Sequence, residues 1–489
     1  MDCILTLDVG SSSARALLYG FDGREIPGFG SQVKYQAHTT EDGAWEIDPA
    51  ALTGFVAQAF TEICQQMRAK AIRPAAVAVD TFWHSLVGIA QDGKPTTPIL
   101  HPFDSRCADA AARLARRIDN LGQHARTGCM LHSSYPPAKL LWLSETQPEA
   151  FRAAARWMSV GEFLFLEFFG EAAASTSMVS ASGLWDQNRA DYDDEILAVL
   201  PVTRQQLADP ATLDAPVQSL RAPWSAQWPE LNGIPWFPAL GDGACDNIGS
   251  GCVSQDRWAL MVGTSGALRA PIEADRIDIP HGLFCYRIDP KRFVIGGALS
   301  NGGAVYAWMK RTLQLPDDAA LEAQLAAMKP GMHGLTILPL FAGERSTEWR
   351  SDTTAAIAGL RSSTTPAEIL HAAMESVALR FRNVYDVMVK AFGAPRELVG
   401  SGAALLHSAV WTQMMTDTLC HPLFLCLEPE ATSRGAALLA LERLGALKNL
   451  AVAQPAFGPT LDPDPVKMQL YVAALAVQRR LYSKLFEEK

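Results

Sequence analysis

Several motifs that would assign this chain to a common enzyme class are missing from it. The sequence contains no G-x-G-x-x-G, no G-x-S-x-G and no H-E-x-x-H, so the dinucleotide-binding, serine-hydrolase and zinc-protease interpretations lose support. Its nine cysteines include no C-x-x-C pair. An odd, unpatterned set of cysteines in a long chain predicts reduced thiols and a cytoplasmic protein.

Basic residues and long apolar runs are scarce as well. The chain has 42 Lys and Arg against 52 Asp and Glu, and a net charge of −10 argues against nucleic acid as a partner. Because no run of about 20 uninterrupted apolar residues occurs, we expect no membrane span. Asp2 and Asp8 interrupt the apolar start of the chain, which predicts that it carries no signal peptide.

What the chain does have is enough residues for two domains. Single hydrophobic cores stop growing at about 250–300 residues, and this chain has 489. Its 48% apolar and 19% charged residues are typical of a soluble globular protein.

Predicted strands alternate with long helices, and this order indicates an α/β fold. The partial likeness between residues 5–15 and 260–269 indicates two duplicated domains that meet near 252–256. The periodicity and turn residues predict strands at 4–8, 14–19, 75–79, 258–262, 293–295 and 398–401, helices at Pro49–Ala69, 367–392 and 432–444, and a surface loop at 454–465.

Two of the predicted strands run into turns of small hydroxyl residues. Asp8 and Arg15 flank the first turn, Ser11-Ser12-Ser13, and Thr264-Ser265 forms the second. Hydroxyls, free amides and a guanidinium suit phosphate, and a carboxylate suits hydrated Mg²⁺. The alternative is an ordinary serine-rich hairpin turn. A third turn, 400–403, would let a flat base approach the backbone.

One acid stands apart from these turns. Asp242 lies between two glycines, so its carboxylate is little hindered and suits a proton acceptor, although an Asx turn is the alternative. Trp83 and His84 follow a buried strand, where open α/β sheets place ligands. Asp104 and Arg106 form either an ion pair or part of a substrate site.

Two longer segments resemble the signatures of the FGGY carbohydrate kinase family. Residues 134–146 match the first signature except at its last place, Thr146, and residues 355–360 with 368–375 match the second throughout. The resemblance implies two actin-like (RNase H-like) domains hinged around a central cleft. It divides the chain into a sugar-binding domain at 1–252 and a nucleotide-binding domain at 253–489.

The resemblance also implies a role for each candidate residue in an ATP- and Mg²⁺-dependent kinase. Asp242 becomes the catalytic base and a metal and substrate ligand, and Asp8 becomes the second metal ligand. The residues expected at ATP are Ser11, Ser12, Ser13, Arg15, Thr264, Ser265, Gly303, Gly402 and Ala403, and those expected at the sugar are Trp83, His84, Asp104 and Arg106.

Within the family, residues 241–245, 262–269, 297–303 and 343–346 look most like gluconokinases. This likeness predicts D-gluconate as the substrate, with Arg106 as the cation for its carboxylate. Ser11 stands where Thr is usual, and Pro102 stands where Trp often precedes Asp104. Xylulose, another ketopentose or a polyol is the alternative substrate. An actin-like ATPase switch and a non-catalytic sugar sensor are the alternatives of other classes, and the protein is a possible homodimer.

Overall fold

The computed structural model of the protein describes residues 2–487. A five-stranded sheet in the order β12-β6-β1-β2-β3 occupies its first half, with β1 antiparallel to β2 and parallel to β6. The strands of this half are β1 (Cys3–Val9), β2 (Ser13–Gly20), β3 (Glu25–Lys34), β4 (His38–Thr39), β5 (Trp45–Ile47), β6 (Ala76–Thr81), β7 (Val87–Ile89), β8 (Ile99–Leu100), β9 (Arg156–Met158), β10 (Trp185–Asp186), β11 (Asp191–Tyr192) and β12 (Trp236–Gly241).

The helices of the first half begin with α1 (Pro49–Ala69), whose bounds agree with the prediction. It starts there because the Asp48 side chain accepts a hydrogen bond from the Ala51 amide and Pro49 occupies the first turn. The others are α2 (Ala108–Ala115), α3 (Asn120–Thr127), α4 (Pro136–Thr146), α5 (Pro148–Ala153), α6 (Val160–Phe169), α7 (Thr176–Ser180), α8 (Asp194–Val199), α9 (Trp224–Gln227) and α10 (Asp242–Gly249).

A seven-stranded sheet in the order β15-β16-β14-β13-β19-β20-β21 occupies the second half. Its strands and two paired neighbours are β13 (Arg257–Val262), β14 (Gly266–Glu273), β15 (Phe284–Arg287), β16 (Arg292–Leu299), β17 (Thr336–Leu338), β18 (Ala356–Ala358), β19 (Glu397–Ser401), β20 (Leu423–Cys426) and β21 (Phe457–Leu461). The helices are α11 (Gly303–Thr312), α12 (Asp318–Ala327), α13 (Pro366–Phe392), α14 (Ala403–Leu406), α15 (Ala409–Leu419), α16 (Ala431–Arg443) and α17 (Pro465–Phe486).

The two sheets share one pairing order. In each, an N-terminal hairpin (β1-β2 or β13-β14) adds parallel strands on the side of its first strand, β6 and β12 in one sheet and β19 and β20 in the other. This arrangement confirms the predicted α/β class. The segment 454–465 departs from the prediction, because its residues Phe457–Leu461 form β21 rather than a loop. They pair with β20 at the sheet edge, where proline is tolerated.

Helices α10 and α16 join the two halves. Helix α16 packs against α10 and also against β1 and β6, so a C-terminal segment covers part of the first sheet. Two glycines make this close packing possible. A Cβ atom on Gly249 would lie 1.7 Å from the Ala431 carbonyl oxygen, and one on Gly435 would lie 1.8 Å from that of Cys245. The division of the chain at 252/253 remains a prediction.

No helix within residues 2–487 is long and apolar enough to cross a membrane.

Candidate active site

Three carboxylates lie at one edge of the first sheet. Asp8 in β1 is aligned with Asp80 in β6, and Asp80 is aligned with Leu240 near the end of β12. Asp242 follows two residues later and begins α10. Because β1, β6 and β12 are parallel, their carboxyl ends meet at one edge, the edge at which α/β sheets bind ligands.

Burial makes this acidic edge electrostatically costly. Asp80 is 0% exposed, and within residues 2–487 no N–H group donates a hydrogen bond to its carboxylate, whose near neighbour is the carboxyl group of Asp8. Burial and the neighbouring carboxylates raise its pKa well above the usual value, and burial also raises that of Asp8. A cation is therefore the natural partner of these oxygens.

Asp242 has a pKa that suits proton transfer. Burial raises its pKa to about 6, although Arg269 and a hydrogen bond from the Gly243 amide (2.7 Å) oppose the rise. Arg269 is itself held by Asp246 at 2.8 Å. A carboxylate with a pKa near the working pH is an effective general base.

The serine turn lies beside the acids. The Gly10 amide donates to the Ser13 carbonyl at 3.0 Å and closes the β1-β2 hairpin. Ser11 and Ser12 are exposed, and their hydroxyls make no hydrogen bond to any other part of the described chain. Arg15 contacts Asp8 at 3.5 Å and forms an ion pair with Glu430, which precedes α16.

The second hydroxyl turn, 263–265, connects β13 to β14. The Thr264 carbonyl accepts hydrogen bonds from the amides of Gly302 and Ala304, both at 3.0 Å, and the Gly303 amide donates to the Gly263 carbonyl at 2.7 Å. The start of α11 is therefore fastened to this turn, while the Thr264 side chain stays exposed and Ser265 is half-buried. Thr264, Ser265 and Gly303 form one cluster.

A cavity of about 390 Å³ connects the two sheets. Asp242 lines it from the first sheet, and Gly402 and Ala403 line it from the second. Gly402 has φ +92°, and a Cβ there would lie 2.5 Å from the Val262 carbonyl oxygen, so only glycine fits. The structure thus places the acid and the predicted nucleoside contacts on the walls of one cavity.

Trp83 and His84 form an aromatic wall near Asp242. The Trp83 ring lies against Gly241, where a Cβ would approach its Nε1 to 1.8 Å. The centroid of the His84 ring is 4.6 Å from that of Tyr135 and 5.2 Å from that of Tyr286.

The tautomer of His84 follows from its contact with a backbone carbonyl. Its Nδ1 lies 2.7 Å from the Ala181 oxygen, and because a carbonyl only accepts, Nδ1 carries the proton and Nε2 is an acceptor. Burial lowers the pKa of His84 to about 3, so the ring is neutral. A neutral Nε2 suits a hydrogen bond from a sugar hydroxyl.

The structure places Arg106, the predicted cation for a substrate carboxylate, in ion pairs with two acids of the first half of the chain. Its Nη2 bonds Asp104 at 2.6 Å and Glu46 at 2.7 Å, and its guanidinium stacks over Trp142 at 4.7 Å. Asp104 is buried and also accepts from the Trp45 amide at 3.2 Å. Asp104 and Arg106 thus belong to an ion-pair network that offsets the charge of Arg106. Their contact with a substrate stays a prediction.

Two residues of the site escaped sequence analysis. Asp80 directly follows the predicted strand 75–79, and Asp8 ends the predicted strand 4–8. This shared position at the end of a strand could have identified Asp80 as a site residue. Arg345 lies in the gluconokinase-like segment 343–346, but that likeness gave no role to the arginine itself. It donates to the Leu299 carbonyl at 2.8 Å, and its guanidinium carbon lies 6.0 Å from the Phe103 ring centroid.

Comparison with known proteins agrees with this geometry. The N-terminal domain of the FGGY family of carbohydrate kinases matches residues 3–249, and its C-terminal domain matches residues 259–443. The chain belongs to the FGGY family of carbohydrate kinases. It is therefore a carbohydrate kinase, a phosphotransferase with an alcohol acceptor.

The relatives of this FGGY kinase span nearly its whole length. The gluconokinase of Bacillus subtilis (strain 168) is 24% identical over 475 residues, which cover 95% of this chain and 92% of the relative. The ligand-bound xylulose kinase of Lactobacillus acidophilus superposes with TM-score 0.91 at 22% identity over 100% of this chain and 99% of the other. The gluconate kinase of the same species gives 0.90 at 23% over 99% and 98%. These likenesses confirm the two-domain actin-like fold.

Proposed function

We propose that this FGGY kinase transfers the γ-phosphoryl group of ATP to the terminal hydroxyl of D-gluconate and forms 6-phosphogluconate. The observation that carries phosphoryl transfer is Asp242, an acid with a pKa of about 6 in a cavity that the second sheet lines with Gly402 and Ala403. The observation that favours gluconate is the likeness to a gluconokinase over 95% of the chain.

Asp242 accepts the proton of the attacking hydroxyl. Transfer of a phosphoryl group proceeds through a loose, in-line transition state, so positioning and charge neutralisation supply most of the acceleration. Asp242 orients the hydroxyl and takes its proton as the bond to phosphorus forms. Trp83 provides an apolar face for the sugar chain, and the acceptor Nε2 of His84 bonds one of its hydroxyls.

The acidic edge suits Mg²⁺. Burial raises the pKa values of Asp8 and Asp80, and no N–H group within residues 2–487 donates to Asp80, so a bound cation would stabilise the ionised form of both carboxylates. Asp8 and Asp242 would hold the ion, together with Asp80 as a third carboxylate. When bound, the ion neutralises phosphate charge.

The two hydroxyl turns would bind the phosphates from both sides of the cleft. The free hydroxyls of Ser11 and Ser12, the turn at Ser13 and the guanidinium of Arg15 belong to the first domain. Thr264 and Ser265 belong to the second. Gly303 is fastened to that second turn, and Gly402 with Ala403 offers a backbone surface for the nucleoside.

A ketopentose is the second candidate substrate, because the xylulose kinase of Lactobacillus acidophilus superposes as closely as the gluconate kinase does. Steady-state kinetics with gluconate, xylulose, ribulose, glycerol and erythritol test the choice. We expect the largest kcat/KM for gluconate, and a hundredfold preference for a ketopentose would overturn the proposal.

ADP release with and without each sugar separates the remaining classes. A kinase releases ADP only when sugar is present, a switch ATPase releases it without sugar, and a sensor does not release it. We also place the protein in the cytoplasm, since all nine cysteines are free thiols. A homodimer stays a prediction.

A further inference from the structure

Arg345 reaches into the cleft from the second domain. It lies on the segment between β17 and β18, and its Nη2 is fixed by the Leu299 carbonyl at the end of β16. Its side chain approaches Phe103 of the first domain at 6.0 Å. Arg345 therefore stands between the two domains.

Arg345 lies close to the aromatic wall formed by Trp83 and His84. Burial lowers its pKa, and the groups near enough to influence that pKa include Tyr135, Tyr286 and Asp242. The positive charge of Arg345 in turn depresses the pKa of His84, an effect added to that of burial. The guanidinium thus shares a site with the base and with the aromatic wall.

Arg345 differs from three other arginines near the cleft in its lack of an acid partner. Arg15 pairs with Asp8 and Glu430, Arg106 with Asp104 and Glu46, and Arg269 with Asp246.

Within residues 2–487, no carboxylate pairs with Arg345, and its buried Nε has no hydrogen-bond partner. Leaving a buried donor and a buried charge unpaired is costly. An anionic ligand would remove this cost.

We propose that Arg345 binds the carboxylate of a sugar-acid substrate through its guanidinium, and so selects sugar acids over neutral sugars. The inference rests on the proposed function, because it assumes that the open-chain substrate carries its carboxylate at the end opposite the phosphorylated hydroxyl. A planar guanidinium donates two parallel hydrogen bonds to a carboxylate, which lysine cannot reproduce.

The test compares D-gluconate with D-glucitol, which has the same chain and a neutral hydroxymethyl group in place of the carboxylate. We expect Arg345→Met to reduce the ratio of kcat/KM for gluconate to that for glucitol by about ten- to hundredfold. Arg345→Lys should give an intermediate ratio, because it keeps the charge but loses the fork. Thermal melting of both variants checks that they fold.

Arg106→Met is the matched control. Loss of its ion pairs with Asp104 and Glu46 lowers stability, but the gluconate-to-glucitol ratio should stay at the wild-type value. The inference is overturned if Arg345→Met keeps the wild-type ratio, or if Arg106→Met shifts the ratio instead.

Failure of the proposed function gives a different result. If the wild-type enzyme prefers a neutral ketopentose, gluconate and glucitol are measured as competitive inhibitors of that reaction. The inference on Arg345 then requires that gluconate inhibit the wild type more strongly than glucitol does, and that Arg345→Met remove the difference. Equal inhibition constants in the wild type would overturn the inference.

Discussion

The carboxyl edges of the two sheets have the same architecture and opposite chemistry. In the first sheet, Asp8 is aligned with Asp80 one step before the hairpin turn. At the corresponding step of the second sheet, Met261 is aligned with Ser401. The first edge is acidic, whereas the second presents hydroxyls, glycines and backbone amides.

Under the proposed function, this difference lets one topology serve two halves of a reaction. Carboxylates bind a cation and accept a proton, so the first edge suits the acceptor sugar and the metal. Small residues let backbone and hydroxyl groups come close to the phosphates and the nucleobase of a nucleotide, so the second edge suits the nucleotide. Neither edge does both, and the cavity between them is where they meet.

The largest expected effect is the loss of the base. Asp242→Asn should lower kcat by about 10²- to 10⁴-fold, because the amide cannot accept the proton. Affinity for ATP should change little, since the second edge is intact. Steady-state kinetics and calorimetric titration of a non-hydrolysable ATP analogue measure the two quantities.

The control for this change is Asp317→Asn, which replaces the N-cap of α12 with another good capping residue. It should leave kcat at the wild-type value. A kcat of Asp242→Asn within tenfold of the wild type would show that the base lies elsewhere.

Alanine substitutions at equivalent steps of the two sheets sharpen the comparison. Asp80→Ala should raise the Mg²⁺ concentration for half-maximal rate by about 10- to 100-fold, because an orienting carboxylate beside the ion is lost. Ser401→Ala, at the matching step of the second sheet, should leave that concentration unchanged. Titration of the rate with MgCl₂ at saturating sugar decides the matter. Equal Mg²⁺ dependence in both variants would mean that the acidic edge is not the metal site.

The pH dependence of the wild type should follow Asp242. Its folded pKa of about 6 lies above the usual value, so the base is ionised above that pH and protonated below it. We expect kcat/KM for the sugar to reach a plateau above pH 7 and to fall about tenfold for each pH unit below 6.

The same shift affects stability. A raised carboxyl pKa means that ionisation of Asp242 destabilises the fold, and this cost is absent at low pH and complete above pH 6. Asp242→Asn should therefore increase the free energy of unfolding at pH 7.5 by up to about 3 kcal/mol relative to the wild type. Urea unfolding at pH 4 and pH 7.5 tests the sign, and an equal difference at both pH values would contradict it.

The smallest effect concerns the helices that join the two halves. Gly435→Ala forces α16 away from the Cys245 carbonyl of α10. We expect the free energy of unfolding to fall by about 1–3 kcal/mol and kcat/KM to fall for both the sugar and ATP. Gly54→Ala is the control, because this glycine of α1 has open space around it and alanine favours a helix. Unchanged stability in Gly435→Ala would show that the packing of α10 against α16 does not require glycine at this position.

Local chemistry made much of the fold and site predictable. Helix α1 was predicted at both ends because an Asp cap, a proline and an apolar stripe all act within a few residues. The hydroxyl turns were recognised because a turn between two strands of a hairpin limits the residues that fit it, and Asp242 was recognised from the two glycines beside it. The edge strand β21 was missed because its pairing with β20 is set far from its own sequence.

The sequence by itself determined the two strand-turn edges, the α/β order and the acid at 242, because backbone conformation depends on near neighbours. Only the tertiary structure decided which arginines near the cleft pair with an acid. Arg106 finds an acid 60 residues away and Arg15 one 415 residues away, while Arg345 finds none among the described residues. Ion pairs form between residues that packing brings together, and the separation of two residues along the chain does not predict whether they will pair.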